Sequence, residues 1–499
     1  MKKLVVLFIL LPFFASAQLQ LAKIFTNNMV LQRGRPIVIW GKANPGNTII
    51  ATFANTKAKG ITQKDATWKI ILPQQNANTT PQTLTITSLG QTILIENILV
   101  GDIWVCSGQS NMEFPMWKEQ HYKEEIKNSD QSLLRLYNTT YAGKNIYTIS
   151  YTDSVVQLLN KNEFYKGQWQ TCDSNNFKTM SAVAYYFGKN IIEHIAVPIG
   201  LINLSIGGAP LETFIDAEVL KKDTQFADKV KGDWLLNNSL PVWIRERGKQ
   251  NVGTLLNIPA DSNGKNHEYK PGFAYSEGIA PILNMPIKGI IFYQGESNAQ
   301  EIERVNEYAK LSALMVNDFR KKWHQPALPF YYVQLSSIDT LKYKGALWPQ
   351  FRDAQRKMLA LIPFSGMAVC SDIGFKDDVH PTNKKDVGVR LSNWALNKTY
   401  AKKIIPSGPL PNKATYKNGM LTISFLYTGI KLQTADGEIL KGFSIDNNTV
   451  AIAEIQKKKV LIRLANKPTF IYYGWKPFSD ANLVNSEHLP ASTFKIKVD

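Results

Sequence analysis

The sequence predicts an α/β chain: a parallel sheet covered on both faces by helices, with a β-domain at each end. Three observations carry that prediction. Short β-branched runs fill roughly the first hundred residues, strand-like and helix-like stretches alternate from about 100 to 399, and β-type runs return from about 402. At 499 residues the chain exceeds what one compact core holds, so several domains are expected. A composition of 44% hydrophobic and 11% aromatic residues excludes collagen-like, coiled-coil and disordered classes.

The first stretch, MKKLVVLFILLPFFASAQ, has two lysines, an apolar run from Leu4 to Phe14 and the small residues Ala15-Ser16-Ala17. It reads as a secretory leader, 1–17, with cleavage before Gln18 and a periplasmic or extracellular product. The run is too short to span a bilayer, and no later segment is long and apolar enough. From 18 to 99, PIVIWG, TIIATF, WKIIL, LTITS and TILIEN are separated by turn-forming ANPGN and QNANTTPQ, which predicts a small β-sandwich.

From 100 to 401, DIWVCS, IGLINLS, KGIIFYQ, FYYVQLS and GMAVCSD read as buried strands. SAVAYYFGKNIIEHI, EYAKLSALMVNDFRKKW, WPQFRDAQRKMLALI and KDVGVRLSNWAL read as helices. In the second helix Tyr308, Leu311, Met315 and Phe319 share one face. Strand–helix alternation implies a parallel sheet, whose reactive residues lie just past the carboxyl ends of the strands. A polar stretch from about 221 to 275 reads as an insertion over that face or, equally, as a plain surface excursion. From 402 to 499, LTISFLY, TVAIAEI, VLIRLA and TFIYYGW around KNG and DNN predict a second β-domain.

Formal charge is +18, or +16 once Lys2 and Lys3 leave with the leader. The lysines are scattered, and the densest cluster, QKKKV at 456 to 460, fits a tight turn between two strands. The charge reads as a solvated surface, useful toward anionic sugars, and not as a nucleic-acid footprint. Three widely spaced cysteines make neither a disulfide framework nor a zinc pattern, and Cys106 and Cys370 read as core residues. HExxH, a P-loop and GxGxxG are absent, and GQSNM around Ser110 lacks the second glycine of a GxSxG elbow.

Four predicted strand ends carry acyl-transfer chemistry. CSGQSNM offers a serine. In DDVHP, Asp377 stands three residues before His380 and can fold back to accept from Nδ1, leaving Nε2 to take a serine proton; Asp378 points elsewhere if the loop is extended. LSIGGAP offers Gly207 and Gly208, whose backbone N–H groups can meet an oxyanion. YQGESNA offers the Gln294 amide, Gly295, Glu296 and Asn298. The other five histidines read as packed or surface residues.

These blocks, CSGQSNM, IGLINLSIGGAP, IKGIIFYQGESNA and DDVHPTNKKDVGVRL, resemble those of the SGNH/GDSL hydrolases and, more closely, the sialate O-acetylesterase family of carbohydrate esterases. NNMVLQRGRPIVIWGKANPG, FRDAQRKML and NLVNSEHLPASTF extend the resemblance over nearly the whole mature chain. It implies an SGNH-type three-layer α/β/α domain of flavodoxin-like build and ester hydrolysis through an acyl-enzyme, without metal or organic cofactor. Ser110 would be the nucleophile, His380 the general base and Asp377 its orienter. Ser110 N–H, Gly208 N–H and Gln294 would form the oxyanion hole, with Gly207 the alternative because Ile206 stands where the family usually has tryptophan. Ser107 is then structural. Asn111, Glu296, Asn298 and Arg352 are candidate substrate contacts.

The implied partner is an O-acetylated glycan, foremost 9-O-acetylated sialic acid, whose carboxylate Arg245, Arg247 or Arg352 could meet. Acetylated xylan or another plant polysaccharide, with Trp243 or Trp348 stacking on sugar, is the alternative substrate. A glycan-binding protein with an inactive hydrolase domain is the alternative class. No membrane span and no nucleic acid are expected, and the sequence fixes no oligomeric state.

Overall fold

The computed structural model describes residues 18–340, 343–446 and 449–499. The expected leader, 1–17, and part of the DNN turn lie outside the described residues. The fold is mixed α/β, with a large central sheet and additional β-sheets at both ends.

The central sheet is built on one long strand, β1 (Gln91–Gly108). Beside it run β2 (Gln131–Asn138), β3 (Trp169–Cys172), β4 (Ile199–Asn203), β5 (Gly289–Tyr293), β6 (Phe330–Gln334) and β7 (Ser365–Val369), in the order β3-β2-β4-β1-β5-β6-β7. All neighbouring pairs are parallel except the edge pair β2–β3. The runs GIIFY and FYYVQ are buried at every position, as expected of strands covered on both faces. Strands β2 and β3 were not legible: QSLLRLYN mixes Arg135 and polar residues into its run, and WQTC is too short to register a period.

The expected helices form as α2 (Ala182–Ile195), α4 (Ile302–Lys322), α5 (Trp348–Leu361) and α6 (Lys385–Trp394); a short α1 (Ser110–Glu113) and α3 (Val242–Gly248) complete the set used below. Helix α2 packs on α6, and α4 packs on α5. Strand order reverses around β1, whose neighbours β4 and β5 are reached in opposite directions. Such a switch point opens a crevice at the carboxyl ends.

The expected boundary at 99/100 falls inside β1. Its first half pairs with Asn78–Ser88, its second with β4 and β5, so the N-terminal strands continue the central sheet. Arg33 grips the buried Asp102 carboxylate through Nε at 3.0 Å and Nη2 at 2.8 Å, fixing the crossing point. A three-stranded sheet of Gln20–Leu21, Ile37–Lys42 and Thr67–Leu72 completes this end.

The C-terminal strands have their own core, with Leu421, Ile423, Val460, Ile471 and Phe494 among its members. QKKKV closes a hairpin, Gln456 pairing with Lys459 and Lys457 taking a φ of 56°. TVAIAEI is not one strand: Thr449–Val450 and Glu454–Gln456 join different sheets. Its alternation reads the same because Ala451 and Ala453 still face inward while Ile452 is exposed. Among the described residues no helix is long and apolar enough to cross a membrane, and all three cysteines are buried and unpaired.

Candidate active site

The polar cluster after β1 is resolved residue by residue. Cys106 and Ser107 are buried in the strand, in keeping with a structural Ser107. Gly108 has a φ of +132°, and a Cβ there would lie 2.1 Å from Tyr293 O, so only glycine lets β1 end this close to β5. Gln109 is buried, and its Oε1 accepts from Gln294 Nε2 (3.2 Å), Gly295 N (3.2 Å) and Ser297 N (3.3 Å), tying this loop to the QGESN loop. Ser110 then opens α1, partly exposed, while Met112 returns to the core.

The histidine arrives from the far side of the sheet, in the loop between β7 and α6. His380 Nε2 and Ser110 Oγ stand 2.8 Å apart. Burial, and next the Lys384 charge, hold the imidazole below its ordinary pKa, against the opposing pull of Asp378. The neutral ring is the form that accepts a serine proton.

The carboxylate at Nδ1 is Asp378, at 3.3 Å, where Asp377 was expected. The loop is not extended: Asp378 Oδ1 accepts the His380 backbone N–H at 2.8 Å, an Asx turn that folds the nearer aspartate back onto the ring. Asp377 makes an interaction of its own.

Of the glycine pair, Gly207 N–H donates to Tyr141 Oη at 3.0 Å, whereas Gly208 N–H has no partner among the described residues. Gly208 is the open donor. Its φ of +76° favours glycine, and a Cβ would sit 2.4 Å from Tyr269 Oη. Its carbonyl accepts from Ser297 Oγ at 2.8 Å and Trp243 Nε1 at 3.4 Å, and Tyr269 Oη donates to Gly207 O at 2.8 Å. The loop's carbonyls are thus drawn toward side chains.

Gln294, expected as an oxyanion donor, is engaged by the protein. Its Nε2 already faces three oxygens, those of Gln109, Ala209 and Asn298, and its Oε1 accepts from Tyr308 Oη at 2.7 Å. A buried amide so engaged braces the loops above it.

The four candidate substrate contacts are all buried and held by protein. Asn298 Nδ2 donates to Glu212 Oε2 at 3.0 Å, and its Oδ1 accepts from Leu211 N at 3.0 Å. Asn111 donates to Glu296 Oε1 and, at 2.9 Å, to Val379 O, and accepts from Lys384 Nζ. Arg352 donates to Ser337 Oγ and to the carbonyls of Gly474, Lys476 and Pro477, joining α5 to the C-terminal β-region. A run of polar residues at a strand end reads equally as ligand contact or buried bracing, and here bracing won.

Residues from the polar insertion reach the site. Trp243, on α3, and Tyr269 contact Gly208, and Tyr147 Oη lies beside Gly207. The Arg247 guanidinium stacks over Trp243 at 4.7 Å and Tyr147 at 5.3 Å, whereas Arg245 donates outward to Asn238. Behind them His267, read from sequence as a packed or surface residue, is fully buried and neutral, its pKa pushed down to about 3. Burial raises the neighbouring Glu268 to about 7, although Tyr151 Oη donates to it at 2.6 Å. The one sequence signal for this cluster was aromatic residues, HEY among them, in an otherwise polar segment. Among the described residues no group of three or more His, Cys, Asp or Glu could hold a metal ion.

A serine hydroxyl held to a histidine nitrogen, beside an open backbone N–H at the carboxyl edge of a parallel sheet, is the arrangement of a serine hydrolase. Comparison with known proteins narrows that class. A family model described as carbohydrate esterase, sialic acid-specific acetylesterase, matches residues 258–401. Human sialate O-acetylesterase is 28% identical over 455 residues, covering 84% of this chain and 79% of its own; the mouse protein is 25% identical over 437. The crystal structure of a novel carbohydrate acetylesterase from Xanthomonas citri superposes with a TM-score of 0.78 at 28% identity, over 96% of this chain and 99% of that one. Over most of its length the chain is similar to sialate O-acetylesterases and to a carbohydrate acetylesterase of known structure.

Proposed function

We propose that this protein is a carbohydrate O-acetylesterase that releases acetate from O-acetylated sugars, 9-O-acetylated sialic acid first among them, through an acyl-enzyme on Ser110. The observation that carries the reading is the 2.8 Å approach of His380 Nε2 to Ser110 Oγ. His380 takes the hydroxyl proton as Ser110 Oγ attacks the acetyl carbonyl, and Asp378 at Nδ1 steadies the imidazolium that forms. The N–H groups of Gly208 and Ser110 receive the oxyanion. His380 returns the proton to the departing sugar oxygen, and water then repeats the sequence on the acetyl-serine.

The same reading takes the central region as an SGNH-type three-layer domain, supported by helix pairs α2–α6 and α4–α5 each packed together. It takes 18–99 and 402–499 as β-domains bracing a catalytic 100–401. It also takes the chain as exported, with Leu4–Phe14 and Ala15-Ser16-Ala17 as support; a mature N-terminus other than Gln18 would overturn the cleavage site.

The test is acetate release by the mature protein and by Ser110→Ala from 9-O-acetylated sialic acid, acetylated xylan and an aryl acetate. Release by wild type alone supports the nucleophile. Preference for xylan moves the substrate to plant polysaccharide, and no release from any substrate overturns the esterase reading in favour of glycan binding.

A further inference from the structure

The proposed chemistry leaves Lys384 without a role, yet its position is a costly one. Its side chain is wholly buried, and it caps the N-terminus of α6, where the helix dipole disfavours a cation. No carboxylate lies within ion-pair distance of its Nζ among the described residues. Instead Nζ donates to the neutral Asn111 Oδ1 and stands over the rings of Phe114 (4.7 Å) and Tyr293 (5.7 Å). Its backbone N–H donates to Glu119 Oε1 at 3.3 Å. The charged and titratable groups around it are Glu296, Cys370, Asp378 and Glu119, and burial still pushes the ammonium down to about 7.

The neutral amide it grips is the link between the two halves of the site. Asn111 follows Ser110, and Val379 precedes His380. An asparagine amide has two orientations, chosen by its hydrogen-bond partners. A cation at Oδ1 selects the one that aims Nδ2 at Val379 O and at Glu296 Oε1.

Building on the serine–histidine reading, we propose that Lys384 is a positioning residue: it locks the Asn111 amide so that the nucleophile loop holds the histidine loop at Val379. Its charge acts on the base as well. His380 faces Ser110, Asp378, Lys384 and Lys118, with Asp377 in the same loop, and Lys384 is the largest charge disfavouring its protonation.

The experiment uses the full mature chain with Lys384→Met and Lys384→Arg. It measures kcat and KM on an aryl acetate across pH, and titrates His380 by NMR in histidine-labelled protein, assigned with His380→Gln. In Lys384→Met, kcat is expected to fall about tenfold or more with KM within about twofold. The His380 titration is expected to rise by about half a pH unit or more, while Lys384→Arg, which keeps the charge, holds it near wild type. An unmoved titration together with kcat within about twofold of wild type overturns the proposal. Should Lys384→Met fail to fold, Lys384→Gln carries the same test with a polar end beside Asn111. If the wild type releases no acetate, the esterase reading falls, but the His380 titration still decides the role of Lys384.

Discussion

The loops that bring Ser110 and His380 together are held in opposite ways. On the serine side Gln109, Asn111, Gln294 and Asn298 are all at most 3% exposed and bonded to one another or to backbone. On the histidine side the Asp378 side chain is 57% exposed and His380 36%. Its ties to the rest of the protein include Asn111 to Val379 O, Asp339 N–H to Lys376 O at 3.0 Å and Gln120 N–H to Thr382 O at 3.2 Å. A nucleophile must sit where the oxyanion donors converge, so its loop is rigid. A base that receives and returns a proton needs one hydrogen bond at each ring nitrogen, and an exposed loop with an Asx turn supplies both.

Removing the chemistry without touching the scaffold tests the rigid side most severely. Ser110→Ala is expected to lower kcat/KM by about 10⁴-fold or more with an unchanged unfolding midpoint, because the side chain is partly exposed and the bracing amides remain. An unfolding midpoint that drops with activity would show the serine to be part of the scaffold. Gly208→Ala is expected to cost about 10²–10³-fold in kcat, through displacement of one oxyanion donor. Its Cβ would strike Tyr269 Oη, so the Gly208→Ala, Tyr269→Phe double variant should recover part of the loss; no recovery would place the strain in the +76° φ instead.

The exposed side is sharpened by its two neighbouring aspartates. Asp378→Asn is expected to lower kcat/KM by about 10–100-fold, the exposed site weakening a charge that would count for more if buried. Asp377→Asn is expected to stay within about threefold, and the reverse ranking in steady-state kinetics would restore Asp377 as the orienter.

The smallest effect lies behind the glycine loop, where His267 and Glu268 titrate in opposition. His267 has a folded pKa of about 3 against an ordinary 6.5, so its contribution to stability is present above 6.5 and lost as pH falls toward 3. Glu268 has about 7 against 4.5, so its contribution is present below 4.5 and lost as pH rises through 7. The two slopes offset one another between 4.5 and 6.5. Glu268→Gln removes one, and its unfolding free energy should then climb with pH in that window more steeply than wild type, by at most about 1.4 kcal/mol per pH unit. Parallel curves from urea unfolding would show that Glu268 is ionised in the folded state.

The sequence by itself determined the α/β class, the parallel strands that carry the motifs, four helices, and the serine and histidine. Each rests on local information: period, buried apolar runs, and a nucleophile and base next to strand ends. Tertiary structure decided the rest. Whether Gln294 and Asn298 meet a substrate or one another depends on which loops close over them. Gly208 became the open donor only because Tyr141, distant in sequence, takes the Gly207 N–H. Asp378 stands at Nδ1 through a turn whose alternative, an extended loop, has the same spelling. Burial chose between equal readings, since a polar side chain sealed from water must spend its hydrogen bonds on the protein.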